Sequence, residues 1–182
     1  MGSKDAFAYL SGVHYRFTPK YQSLEMFFLG FLGFMVPFAV GHPQLLVGVL
    51  VNAFIVRAAL SLPSYKALPV VLTPSLGALA RGMIFGPYSV YLAYMVPFIW
   101  IGNCILLSAF KLNLRGNLNF LRTLFFGGLA KAVFLFSVAY ILFSLGILPK
   151  IFLTAMGVIQ LATAWVGGLL VYAELRINKA RS

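Results

Sequence analysis

The chain has 182 residues, a formal net charge of +11 and a mean hydropathy of +0.96, with 62% hydrophobic residues and three carboxylates, Asp5, Glu25 and Glu174. This balance excludes a water-soluble globular domain and points to a protein solvated by lipid. Acids this scarce and peripheral also argue against an enzyme, because neither a Ser-His-acid set nor a metal-ligand spacing can be assembled from them, and no cofactor or metal is expected.

Residues 1–23 form the longest polar segment, cytoplasmic or interfacial, and are too short to bury a core. Within them Phe7, Leu10, His14 and Phe17 recur at helical spacing. That spacing allows a helix lying in the membrane interface until Pro19 breaks it, with an unattached tail as the equal alternative. No cleavable signal peptide is expected, since the first apolar run begins late and lacks a small-residue cleavage pattern.

Apolar stretches then follow at 24–41, 43–62, 67–85, 87–110, 120–148 and 151–173. Each approaches the about 20 residues that span a bilayer as a helix, and none alternates as barrel strands do. The expected fold is all-α, a six-helix transmembrane bundle forming one integral membrane domain over 1–182. Between the spans, Lys4, Arg16, Lys20, Lys66, Lys111, Arg115, Arg122, Arg176, Lys179 and Arg181 fall on one side and Lys150 on the other. The positive-inside rule makes both termini cytoplasmic, in a multi-pass protein of the cell membrane. The basic face would meet anionic lipid, so the charge does not call for nucleic acid. The outward turns, Gly41-His42-Pro43, Gly86-Pro87 and Pro149-Lys150, project almost nothing.

Polar residues interrupt the spans at Asn52, Arg57, Arg81, Asn103, Lys131 and Gln160. At about 1.5 Å per residue, Arg81 lies about 6 Å from the outer end, Asn52 and Gln160 about 14 Å, and Arg57, Asn103 and Lys131 about 22 Å. A lysine or arginine at a helix centre costs about 2.5 to 3.5 kcal/mol on insertion scales, so such groups face protein or water. Two readings stay open. Lys131 and Arg57 either border a polar cavity or pair with carbonyls and snorkel toward the cytoplasmic headgroups. Asn52, Asn103 and Gln160 either line that cavity or hydrogen-bond between helices. Arg81 is either a headgroup anchor or a clamp for a carboxylate or phosphate at the cavity mouth. Trp100, Tyr91, Tyr94 and Trp165 could line a flat-ring pocket or pack against lipid and neighbouring helices. Cys104, the single cysteine, reads as a buried thiol.

No carboxylate lies deep in a span and no Gly-x-x-x-x-Gly-Lys-[Ser/Thr] loop is present. Ion coupling through buried acids is disfavoured, and an energy source would reside on another protein.

The segment LPVVLTPSLGALARGMIFGPYSVYLAYMVPFIWIGN, 68–103, resembles the third and fourth helices of the substrate-binding S components of energy-coupling factor vitamin transporters, with a small-residue helix that ends in a Phe-Gly-Pro turn. The stretch KAVFLFSVAYILFSLGILPKIFLTAMGVIQLATAWVGGLL, 131–170, is similar to their last hairpin. Together they cover less than half of the chain. The resemblance implies a binder for a vitamin or micronutrient that docks on a transmembrane T subunit driven by two cytosolic ATPases. It also implies an outward pocket with Lys131 at its floor, Asn103 and Gln160 as further contacts and Arg81 at its mouth; Asn52 and Trp100 are added as candidate substrate-binding residues from their own positions in the spans. The solute would be anionic or neutral. Two departures concern docking and gating: span one carries Gly30 and Gly33 in place of an Ala-x-x-x-Ala pair, and the first outer turn is only Gly-His-Pro where many members have a longer lid. A different class also fits, a nonenzymatic helical accessory or scaffold subunit whose polar residues serve helix contacts.

Overall fold

The computed structural model describes residues 18–40, 42–85, 89–116 and 119–181. The interfacial helix considered for 1–17, with His14, and the Gly86-Pro87 turn lie outside them. Helix α1 runs Pro19–Met35 and continues as a π-helical turn, Val36–Val40; α2 is Gln44–Ser61, α3 Ser64–Phe85 and α4 Ser89–Gly116. Then come α5, Phe120–Ser144, the short α6, Ile151–Met156, and α7, Val158–Arg181. No strand occurs among the described residues. Pro19 occupies the first turn of α1. Its missing N–H is one that the first turn leaves unused, so this proline opens a helix where the sequence suggested a break. Gly157 interrupts the last apolar stretch between α6 and α7.

Five helical stretches are long and apolar enough to cross a membrane, with α6 and α7 counted as one. The remaining long helix, α3, carries Lys66 and Arg81 near its ends. Lys66 donates to Pro19 O and Ser23 Oγ at the start of α1, and Arg81 to Phe38 O and Ala39 O at its end. Thus α3 runs parallel to α1 across the same thickness and completes a bundle of six rods. The exterior is apolar: Phe27, Phe28, Phe126, Val133 and Leu170 are all exposed. A monomer in water does not present so much contiguous apolar surface, whereas hydrocarbon is its natural solvent. The protein is a helical, multi-pass membrane protein.

Small residues set the closest helix crossings. A side chain at Gly77 of α3 would drive its first carbon into Phe34 O of α1. At Gly167 of α7 it would lie 2.5 Å from Val49 O of α2, and at Gly48 of α2 it would lie 2.8 Å from Thr163 of α7. Without an apolar drive between helices in lipid, such close backbone packing holds the pairs together.

The interior divides into two apolar clusters. The larger joins Leu29, Ile55, Val56, Val70, Leu106, Phe110, Phe120, Leu124, Ala164 and Val171 across α1–α5 and α7. The smaller joins Met95 of α4 to Leu135, Ala139, Leu148, Phe152 and Met156 of α5, α6 and the turn before α6. Asn52, Asn103, Lys131 and Gln160 lie where these clusters leave space.

Candidate functional site

A cavity of about 150 Å³ is bounded by the π-helical turn of α1, by α2–α5 and by α6 and α7. Its walls include Gln44 and Leu92, near the starts of α2 and α4, and reach down to Asn103 and Lys131. Between Leu92 and Asn103 the helix rises about 16 Å. The cavity therefore runs inward from the end of the bundle that bears the short turns. Within one to two helical turns beyond it, Ile55, Leu106, Leu124 and Ala164 belong to the larger apolar cluster and close the way to the opposite end. What remains is a blind pocket.

Lys131 is 1% exposed. Its Nζ donates to Asn52 Oδ1 at 2.6 Å, and among the described residues this is its one polar partner. The orientation of Asn52 is fixed by its other end: Nδ2 donates to Gly48 O at 2.8 Å and to Thr163 Oγ1 at 3.1 Å. The Thr163 hydroxyl in turn donates to Ile159 O at 2.8 Å. Every donor along this chain is used until the lysine is reached. An ammonium has three N–H donors, so two are left beside the cavity without a described protein acceptor.

The two side-chain carboxylates among the described residues, Glu25 and Glu174, are engaged elsewhere. Arg57 pairs with Glu25 of α1 at 3.2 Å and with Glu174 of α7 at 3.0 Å, while Ser61 Oγ donates to Glu25 at 2.7 Å. Arg57 therefore does not line the Lys131 cavity and is paired with carboxylates rather than carbonyls; it borders a separate space with Glu25 and Glu174 and ties three helices together through acids that the sequence placed only at helix ends. The snorkelling alternative also fails for Lys131, whose stem carries the amine into the core toward Asn52. The two depth tiers expected from residue counting meet because a lysine stem spans the difference.

Asn103 lines the cavity and donates through Nδ2 to Val71 O of α3 at 3.1 Å. Its Oδ1 has no partner among the described residues. The Gln160 carboxamide lines the opposite wall and is likewise without a described partner. Asn52, Asn103, Lys131 and Gln160, drawn from four helices, thus share one space.

Two expected contacts do not join them. The Arg81 guanidinium is held by Phe38 O and Ala39 O, both at 3.0 Å, and does not line the cavity. The cause is local: Pro37 sits in the π-helical turn, and the last carbonyls of a helix lack intrahelical donors. A cation from α3 supplies them and also complements the negative helix end. Trp100 stands behind the wall, its Nε1 donating to Ser75 Oγ at 2.6 Å and to Leu72 O at 3.2 Å. Pro74 interrupts the hydrogen-bond ladder of α3, and the α4 residues Trp100 and Asn103 serve neighbouring α3 carbonyls. The flat-ring pocket does not assemble: Tyr94 is exposed, Tyr91 meets Phe152 edge-on and Trp165 stacks on Phe125.

Sequence reasoning missed Thr163, Ser75 and Gln44. Thr163 is one turn beyond Gln160, so helical spacing placed it on the same face, but a lone threonine in a span carries no distinguishing signal.

Comparison with protein-family models, with curated proteins and with solved structures finds no match to this chain. Fold and site define a class by themselves: a polytopic helical membrane protein with a blind, amine-bearing polar cavity.

Proposed function

We propose that the chain is a solute-binding membrane subunit that captures a small anionic or neutral micronutrient and works with a partner ATPase module in the cell membrane. The observation that carries this reading is the buried amine of Lys131, held by Asn52 and left with two donors beside a cavity that Asn103 and Gln160 also border. An anionic group there would satisfy those donors with charge-assisted hydrogen bonds. At about 150 Å³ the cavity is below the roughly 300–1,000 Å³ of drug-sized ligand pockets. It suits a solute of few heavy atoms, or the anionic end of a longer one after the helices part. The apolar plug beneath it favours capture over conduction, and the sequence has no nucleotide loop of its own, which is the reason for invoking a T subunit and ATPases. The resemblance read from the residues of 68–103 and 131–170 motivates the choice of partner class, with no matched family behind it.

The scaffold reading has its own support, since Asn52, Asn103, Trp100 and Arg81 all bond to another helix. Affinity purification from native membranes separates the two. A T subunit and ATPases with a retained small molecule support the solute binder; stable association with an unrelated complex and no small molecule overturns it. Tight binding of a divalent cation would also contradict a cavity whose one charged wall is an amine.

A further inference from the structure

A second cavity lies on the lipid-facing side of the bundle, between the last half of α4 and the first half of α5. Its volume is about 510 Å³, and Ile105, Ala109, Leu112, Phe126, Gly127 and Ala130 supply its apolar walls. The small residues make it: a first side-chain carbon at Gly127 would lie 2.9 Å from Ala109 Cβ, so the helices nearly touch there. The larger Phe126 and Leu112 stand exposed at the sides. At one end is Arg122, exposed and without a hydrogen bond or ion pair to any described residue. The neighbouring cation on α4, Lys111, is already spent on Leu62 O at the end of α2.

We propose that this groove binds one anionic phospholipid of the cytoplasmic leaflet, with an acyl chain along α4 and α5 and the phosphate on Arg122. Geometry and charge both select this occupant. From Arg122 to Ala130 the helix rises about 12 Å, close to the about 15 Å that half of a 30 Å hydrocarbon core provides. Arg122 belongs to the basic end of the bundle, where the headgroups of anionic lipids lie, and no carboxylate lines the groove to repel them. A guanidinium presents a planar donor fork suited to a phosphate. The site is separate from the Lys131 cavity and independent of the function proposed for it.

The test is native mass spectrometry of the purified full chain titrated with phosphatidylglycerol or phosphatidylcholine of identical acyl chains. One phosphatidylglycerol should be retained with about fivefold preference over phosphatidylcholine, the ratio for roughly 1 kcal/mol per basic residue at a membrane surface. Arg122→Gln should abolish the preference while leaving residual binding of both lipids, and Ala130→Phe, which fills the groove from its exposed side, should weaken both. Equal retention of the two lipids by the wild type, or an unchanged preference in Arg122→Gln, overturns the proposal. So does a groove occupied by a copurified protein helix or by a second copy of this chain, seen as the corresponding mass without lipid. Thermal unfolding of each variant without added lipid confirms that the fold is retained.

Discussion

At the residue scale, the energetics turn on the pair Lys131 and Asn52. A buried ammonium deprived of its acceptor bears a desolvation cost of about 1–3 kcal/mol or more, and Asn52 is the described acceptor of Lys131. Asn52→Leu is therefore expected to lower stability by about 2–3 kcal/mol in thermal unfolding. In a Lys131→Met background the same change should cost much less, because the two side chains act as one unit. Additive losses would show that the pair is not coupled. Lys131→Met alone should leave the empty protein as stable or more so, since removing the charge offsets the acceptor left on Asn52. The sequence already identified Lys131, Asn52, Asn103 and Gln160 as polar groups needing partners, because in lipid each is conspicuous. Which partner each would find was not legible. Rotational phase decides it, and a single sequence shows depth along a helix far better than direction around it. Arg57 illustrates this: its partners were two of only three acids in the chain, yet they lie 32 positions before it and 117 after.

Among elements, the existence and order of the helices were legible in the sequence because apolar length is set by the bilayer. Their limits were less so: α1 starts at Pro19, and α4 and α7 run on to Gly116 and Arg181, beyond the apolar stretches 24–41, 87–110 and 151–173. Helix contacts depend on glycines that composition does not rank. Gly77 and Gly30 are both helical glycines, but a side chain at Gly77 would meet Phe34 O while one at Gly30 meets nothing within 4 Å. Gly77→Ala should separate α1 from α3 and lower stability by about 1–3 kcal/mol, the usual cost of overpacking. Gly30→Ala should be neutral or stabilising by up to about 1 kcal/mol, through the helix preference of alanine over glycine. Equal effects in parallel unfolding measurements would contradict this account of the α1/α3 crossing. The π-helical turn of α1 was equally hidden: Pro37 marks a disturbed ladder, but only the structure shows Arg81 drawn to the freed carbonyls and away from the cavity mouth.

For the whole molecule, the bundle places its cavity toward the end opposite most of the basic residues, and the charge pattern orients that end outward. Single cysteines test the orientation in a Cys104→Ala background: one at His42 should react with an impermeant reagent from outside and one at Gly116 only from the cytoplasmic side. The reverse pattern would turn the cavity inward and remove the capture reading. Fold class followed from composition because lipid leaves helices as the economical way to satisfy the backbone of long apolar runs. The cavity did not follow, since it arises where two apolar clusters fail to meet. The central claim is that the free donors of Lys131 exist for a solute. Its most direct test is the mass of the chain released intact from its membrane, measured side by side for the wild type and Lys131→Met. The wild type should carry a small anionic or neutral adduct that the folded Lys131→Met protein lacks; the same adduct on both chains, or none on either, would contradict the claim.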